Sequence, residues 1–207
     1  MSLFISRQTQ EQWIKNLKEN IRKWGKQQNF EVPKGLSIFN GNLVDIGNCL
    51  LFILPPFHGK KMYNNFHENT LRNLCTEFDI RYYFMTYCFP FTKDPVTSSN
   101  IKSYGSYIRE IIELLNPKMI AIVGENTQNS LLSHKHLLKE HHGEIVTTQD
   151  RPISLLYPSD YYIKRTRVED KSYKFAIKDN DFGNLSKEWK KLCHYTTSNV
   201  EVAEMKS

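Results

Sequence analysis

The residues best suited to chemistry in this chain stand where apolar runs stop. One run ends in Leu54-Pro55-Pro56-Phe57-His58-Gly59-Lys60-Lys61, a second in Thr86-Tyr87-Cys88-Phe89-Pro90, and a third in Tyr157-Pro158-Ser159. His58 is the candidate catalytic group of the first loop, because an imidazole titrates near neutrality and serves as a general base or as a donor to a base or phosphate. Lys60 and Lys61, beside Gly59, offer ammonium charge and a backbone turn to a phosphate. After the third stop, Tyr161-Tyr162-Ile163-Lys164-Arg165-Thr166-Arg167 interleaves rings with cations. Lys164, Arg165 and Arg167 suit phosphate contacts, and Tyr161 suits stacking on a base. An exposed loop histidine and an ordinary basic surface remain the plain readings of the same residues.

Two other clusters invite chemistry and lack the spacing for it. His134, His136, His141 and His142 crowd one stretch, which raises the question of a metal. His134 and His136 are two apart, so a helix would point them away from each other. No carboxylate or cysteine stands at ligand spacing, and the stretch reads as a polar, partly exposed helix end. The four cysteines, Cys49, Cys75, Cys88 and Cys193, have no CxxC pair and read as small buried hydrophobes. No metal and no cofactor is expected.

The elements that position these loops follow from periodicity. The chain has 207 residues and is 40% hydrophobic, enough for one sizeable core. Residues 8–28 predict an amphipathic helix on Trp13, Ile14, Leu17, Ile21 and Trp24, with Thr9 as cap and Gly25 as stop. The unbroken apolar run at 49–54 predicts a strand buried on both faces, 119–123 a second buried strand, and 80–87, rich in Tyr and Phe, and 152–156 two further strands. Helices are predicted over 64–78, 100–115, 125–138 and 185–193, and a short strand around residues 37–39. Strand and helix alternate, so the expected fold is α/β, a three-layer αβα sandwich around a mainly parallel sheet of about four strands. One domain is expected over residues 1–195, with a loose tail over 196–207. In such a sheet ligands sit beyond the carboxyl ends of the strands, where the three loops lie.

Charge and composition narrow the class. The net charge of +6 fits an acidic partner. No apolar run approaches the roughly 20 residues needed to cross a bilayer, and the first residues turn polar too soon for a signal peptide. An intracellular protein with no membrane contact is therefore expected.

The loops, in this order, resemble the uracil-DNA glycosylase superfamily, nearest its thermophile-type iron–sulfur branch. The segment "IREIIELLNPKMIAIVGENTQNSLL" (residues 108–132) is similar to that family's helix, its Asn-Pro-Lys, a strand ending in Gly and a following helix. "TQDRPISLLYPSDYYIKR" is similar to the family's last strand and its His-Pro-Ser loop. The resemblance covers residues 48–165 and implies that fold. It also implies a base flipped into a pocket, with an acid acting on water, a stacked aromatic ring, an Asn reading the uracil and a histidine stabilising the departing base. Carried over residue by residue, the acid falls at Leu54, counted from Pro56. The Asn falls at Tyr87, and the histidine at Tyr157, followed by Pro158 and Ser159. Phe66 keeps the stacking ring. The iron–sulfur cysteines are absent.

Leucine activates no water, and a phenol lacks the paired donor and acceptor of a carboxamide. The resemblance thus implies a non-catalytic member of the fold, with Leu54, Pro56, Phe57, Phe66, Tyr87, Tyr157 and Ser159 lining a remnant base pocket. Lys60, Lys61, Tyr161, Lys164, Arg165 and Arg167 would hold nucleic acid. The expected partner is single- or double-stranded DNA, a replication or repair protein, or both. The abundance of Asn, Lys, Ile and Tyr suggests a viral or mobile-element setting. Two rival expectations stand beside this one. The first is a divergent glycosylase in which His58 replaces the lost acid. The second is a protein-interaction module, using the aromatic surface and first helix without nucleic acid.

Overall fold

The computed structural model of the chain describes residues 7–31, 33, 39–41, 46–57, 61–93, 95–132, 138–147, 151–162 and 171–204. Its centre is one sheet of five short strands, β1 (Leu50–Leu54), β2 (Tyr83–Tyr87), β3 (Met119–Val123), β4 (Ile145–Thr147) and β5 (Pro152–Leu156). The order across the sheet is β2-β1-β3-β5-β4, with parallel pairing from β2 to β5 and β4 antiparallel at the edge. The expected mainly parallel α/β fold is therefore present, with five strands rather than about four. Strand β4 escapes the sequence because three residues carry no readable period; its pairing with β5, Ile145 opposite Ser154, defines it.

Unbroken apolar strands need cover on both faces. One face is covered by α1 (Arg7–Gln27) and α3 (Ser98–Leu115), with Ile14, Leu17, Ile21, Ile101, Tyr104, Ile108, Ile111, Leu114 and Leu115 meeting Leu51, Ile53, Ile120, Ile122, Ile153 and Leu155. Leu131 of the short α4 (Glu125–Leu131), and Leu132 after it, pack on the same core. The other face holds Leu71, Leu74 and Cys75 of α2 (Lys61–Glu77) and Phe182, Leu185 and Trp189 of α6 (Lys171–Glu204). A single turn of helix, α5 (Leu138–His141), precedes β4.

Several boundaries differ from expectation for physical reasons. Helix α3 starts at Ser98 because Thr97 caps it. The Thr97 side chain accepts from the Asn100 N–H, and the Asn100 carboxamide accepts from the Thr97 N–H. The last helix runs from Lys171 to Glu204, so a helix covers most of the expected loose tail at 196–207 and exceeds the expected 185–193 at both ends. Packing of Ile177, Phe182, Leu185 and Trp189 carries it through Gly183, whose outer side is open space. Helix α4 stops at Leu131, short of 138, where Leu132 turns extended. Of the expected strand at 37–39, residues 37 and 38 lie outside the described residues. Asn40 pairs with Met85 and extends the β2 edge.

Gly25 does not end α1; the helix continues to Gln27. A Cβ at Gly25 would lie 2.2 Å from Cε1 of Phe91 and under 3.0 Å from two more ring atoms. Phe91 is fully buried against Trp24, Phe30, Phe89 and Tyr104 and has nowhere to retreat. Gly25→Ala is therefore expected to lower stability by about 1 kcal/mol, overpacking outweighing the helix propensity gained. Urea denaturation measures this; an alanine variant as stable as the parent contradicts it. Trp24 belongs to this aromatic cluster, whereas Trp13 stays 37% exposed.

Candidate functional site

The strand ends meet as the parallel register requires. Leu54 lies opposite Tyr87, and the Cys88 N–H donates to the Leu54 carbonyl at 2.9 Å. The Phe57 N–H donates to the Phe89 carbonyl at 2.8 Å. A Cβ on Gly124, which follows β3, would lie 3.5 Å from Pro55 and 3.6 Å from Pro158. The ends of β1, β3 and β5 thus converge at the point where the chain changes direction across the sheet, the usual place for a ligand. Gln128, fully buried on α4, ties two of them with Nε2 bonds to the carbonyls of Ile122 (3.2 Å) and Leu156 (3.3 Å).

Leu54 is fully buried in the core shared with α2 and α6, and Tyr87 belongs to the same core. Phe57 sets its ring edge-on to Tyr87 at 5.3 Å. The Tyr87 hydroxyl donates to Oε1 of Glu68 at 2.7 Å, and Nδ2 of Asn40 donates to Oε2 of the same carboxylate at 3.2 Å. Burial first, and the adjacent Glu68 carboxylate second, push the Tyr87 phenol far up, so it stays neutral and points inward. Pro56 is half-buried. Phe66 and Lys61 lie on α2, and Ser159 opens a 3-10 turn, Ser159–Tyr162, which runs beside α2 and α6. His58, Lys60, Lys164, Arg165 and Arg167 lie outside the described residues, as do His134 and His136.

Tyr157 packs toward the opposite core from Leu54 and Tyr87. Its ring stacks on Tyr161, with centroids 4.2 Å apart and planes 15° apart, and also neighbours the His142 ring at 4.9 Å. Both tyrosines are half-buried. Behind them lies a polar network that the sequence did not announce. The Tyr157 N–H donates to the Tyr162 hydroxyl at 3.0 Å, and that hydroxyl donates to Oδ2 of Asp181 at 2.7 Å. His142 Nδ1 meets Oδ1 of the same carboxyl at 2.6 Å. The Asp181 side chain is fully buried and His142 is 18% exposed.

Gly143 makes the approach possible. It holds a left-handed φ of 72°, and a Cβ there would come within 2.6 Å of Asp181 Oδ1. Burial is the larger influence on the Asp181 carboxyl and raises it, while the bonds from His142 and Tyr162 oppose the rise. No local pattern links His142 to a residue 39 positions on; a third-layer helix supplies the acid.

Cys49, Cys75 and Cys88 are buried and Cys193 half-buried, all free thiols. Burial pushes Cys75 and Cys88 to about 12, so neither is a nucleophile at neutral pH. Among the described residues no group of three or more His, Cys, Asp or Glu side chains is placed to hold a metal ion, and no helix is long and apolar enough to cross a membrane. Comparison with protein-family models and with curated proteins gives no match for this chain.

Proposed function

We propose that the protein binds nucleic acid at the carboxyl end of its sheet and leaves the base–sugar bond intact. The observation that carries this reading is the half-buried Tyr157–Tyr161 stack, fixed by Tyr162 and Asp181 and followed directly in sequence by Lys164, Arg165 and Arg167. Stacked rings beside cations suit a single strand, whose bases present open π-faces and whose phosphates need countercharge. Leu54 sits in the buried core and the Tyr87 hydroxyl is committed to Glu68, so neither is arranged to work on water or on a base edge. The uracil-DNA glycosylase resemblance supports the same end of the fold as the binding face.

Tyr161→Leu is expected to weaken binding of a fluorescent single-stranded oligonucleotide by roughly 5- to 150-fold, the cost of one lost stacking partner, and Tyr157→Leu, which removes the ring on which Tyr161 rests, to weaken it less. Tyr82→Leu, a ring 51% exposed elsewhere on the surface, is expected to leave it unchanged. Equal effects at all three positions would contradict the assignment.

The His142–Asp181 pair favours a second, enzymatic reading. A carboxylate holding imidazole Nδ1 leaves Nε2 to take a proton, and His142 abuts Tyr157, where the resemblance places the leaving-group histidine. Under this reading, base release from a uracil-containing oligonucleotide occurs and His142→Ala abolishes it.

A further inference from the structure

One edge of α1 is a line of cations. Lys15, Lys18, Arg22 and Lys26 follow one another at three- or four-residue spacing, which sets them along one side of the helix. Lys15, Arg22 and Lys26 are exposed. Lys18 is half-buried, with its ammonium 5.6 Å from the centroid of the Phe39 ring. At the C-terminal end of the helix an exposed Lys93 stands 5.1 Å from the centroid of Phe30. Glu19 and Lys23 stand beside the line, and Glu11 precedes it by one turn. Among the described residues none of the five cations Lys15, Lys18, Arg22, Lys26 and Lys93 forms an ion pair.

Like charges at this spacing repel and weaken a helix. The fold does not ask for them, because α1 is held from its other side, where Ile14, Leu17 and Ile21 are buried on the sheet. A polyanion relieves the repulsion. From Lys15 to Lys26 the line runs about 16 Å, a length over which one strand of a duplex presents about five phosphates. No exposed ring interrupts it, unlike the Tyr157–Tyr161 face. It therefore offers countercharge without a stacking platform. Unpaired bases call for both, whereas a duplex, whose bases are already stacked, calls for countercharge alone. A lipid surface suits α1 less, since an interfacial helix buries its apolar side in the membrane, and that side of α1 is covered.

We propose that this edge of α1 binds the phosphate backbone of double-stranded nucleic acid without reading its bases. The line lies toward the β2 edge of the sheet, since Phe39 beneath Lys18 packs on Phe84 of β2. Tyr157 follows β5, on the far side of β1 and β3. The surface thus differs in place and in ligand from the single-strand face and does not depend on it.

Fluorescence anisotropy of the full chain with a labelled blunt duplex of mixed sequence tests this. The parent is expected to bind. Lys15→Gln, Arg22→Gln and Lys26→Gln together are expected to weaken the duplex at least about tenfold at low salt. They are also expected to make log K fall less steeply with log salt, by about 2.7, for three lost phosphate contacts. Glutamine keeps helix propensity and removes the repulsion, so this variant should melt at or above the parent's temperature. Arg72→Gln, Lys187→Gln and Lys191→Gln together remove the same charge from the opposite face and are expected to leave the slope unchanged. Tyr161→Leu is expected to keep duplex binding, and the α1 variant to keep single-strand binding. A parent that binds no duplex, parental binding by the α1 variant, or equal losses in the two triple variants overturns the proposal. Loss of duplex binding in Tyr161→Leu also overturns it, because both nucleic acids would then share one site. So does binding of phosphatidylserine vesicles, but not duplex, that the α1 variant loses.

Discussion

Asp181→Ala is expected to destabilise the fold by about 3 kcal/mol or more. The substitution removes the acceptor of two short bonds, leaves the buried Tyr162 hydroxyl without its acceptor and opens a gap beneath Gly143. Asp181→Asn keeps the shape and one acceptor, so its cost is smaller, about 1 kcal/mol. The two variants also separate a pH effect. Burial raises the Asp181 carboxyl above its ordinary 3.8, so the folded chain holds that proton more tightly than the unfolded one. The resulting stability is fully present below 3.8 and is lost as the pH rises through the folded value. Urea midpoints measured from pH 3 upward should show this falling component in the parent and not in Asp181→Asn. A parent without it, or an alanine variant of parental stability, contradicts the account of the network.

Trp189→Ala is expected to cost about 3–5 kcal/mol, the range for removing a large buried aromatic side chain. Trp189 is the bulkiest fully buried side chain among the described residues, and its Nε1 donates to the Arg81 carbonyl at 3.0 Å. That bond is one of several latches from α6 to the turn before β2. Ser186 donates to the Phe78 carbonyl at 2.7 Å, and Lys190 pairs with Asp79 at 3.5 Å. The turn needs them, because Asp79 and Tyr82 both hold positive φ, at 52° and 59°. Trp189→Phe restores most of the volume but leaves the carbonyl unpaired, so it should cost about 1–2 kcal/mol. Thermal unfolding orders the three proteins as parent, Phe, Ala; equal melting of the Phe and Ala variants would mean that packing contributes nothing.

The same residues explain what was legible in the sequence. Met119–Val123 is found as read because a run buried on both faces has no polar position to blur it, and Pro152–Leu156 is found as read despite Ser154 because its flanking Ile153, Leu155 and Leu156 are apolar and buried. Gly25 misled because its role is a ring 66 positions away, which no local rule encodes. β4 was too short to have a pattern. Leu54, Pro56, Phe57 and Tyr87 could be placed at strand ends because parallel sheets put their ligand-facing loops there. The His142–Asp181–Tyr162 network could not, since its members come from the turn before β4, the 3-10 turn and α6, and meet only through packing. A basic, tyrosine-rich stretch marked the neighbourhood but gave no sign of the carboxylate that holds Tyr162.

The most direct test of the central claim is a salt titration of binding to a single-stranded oligonucleotide containing uracil, with the bound oligonucleotide recovered and its bases quantified. Three phosphate contacts from Lys164, Arg165 and Arg167 predict that log K falls by about 2 per tenfold rise in salt, with every uracil still attached. An affinity indifferent to salt, or abasic sites in the recovered strand, would contradict it.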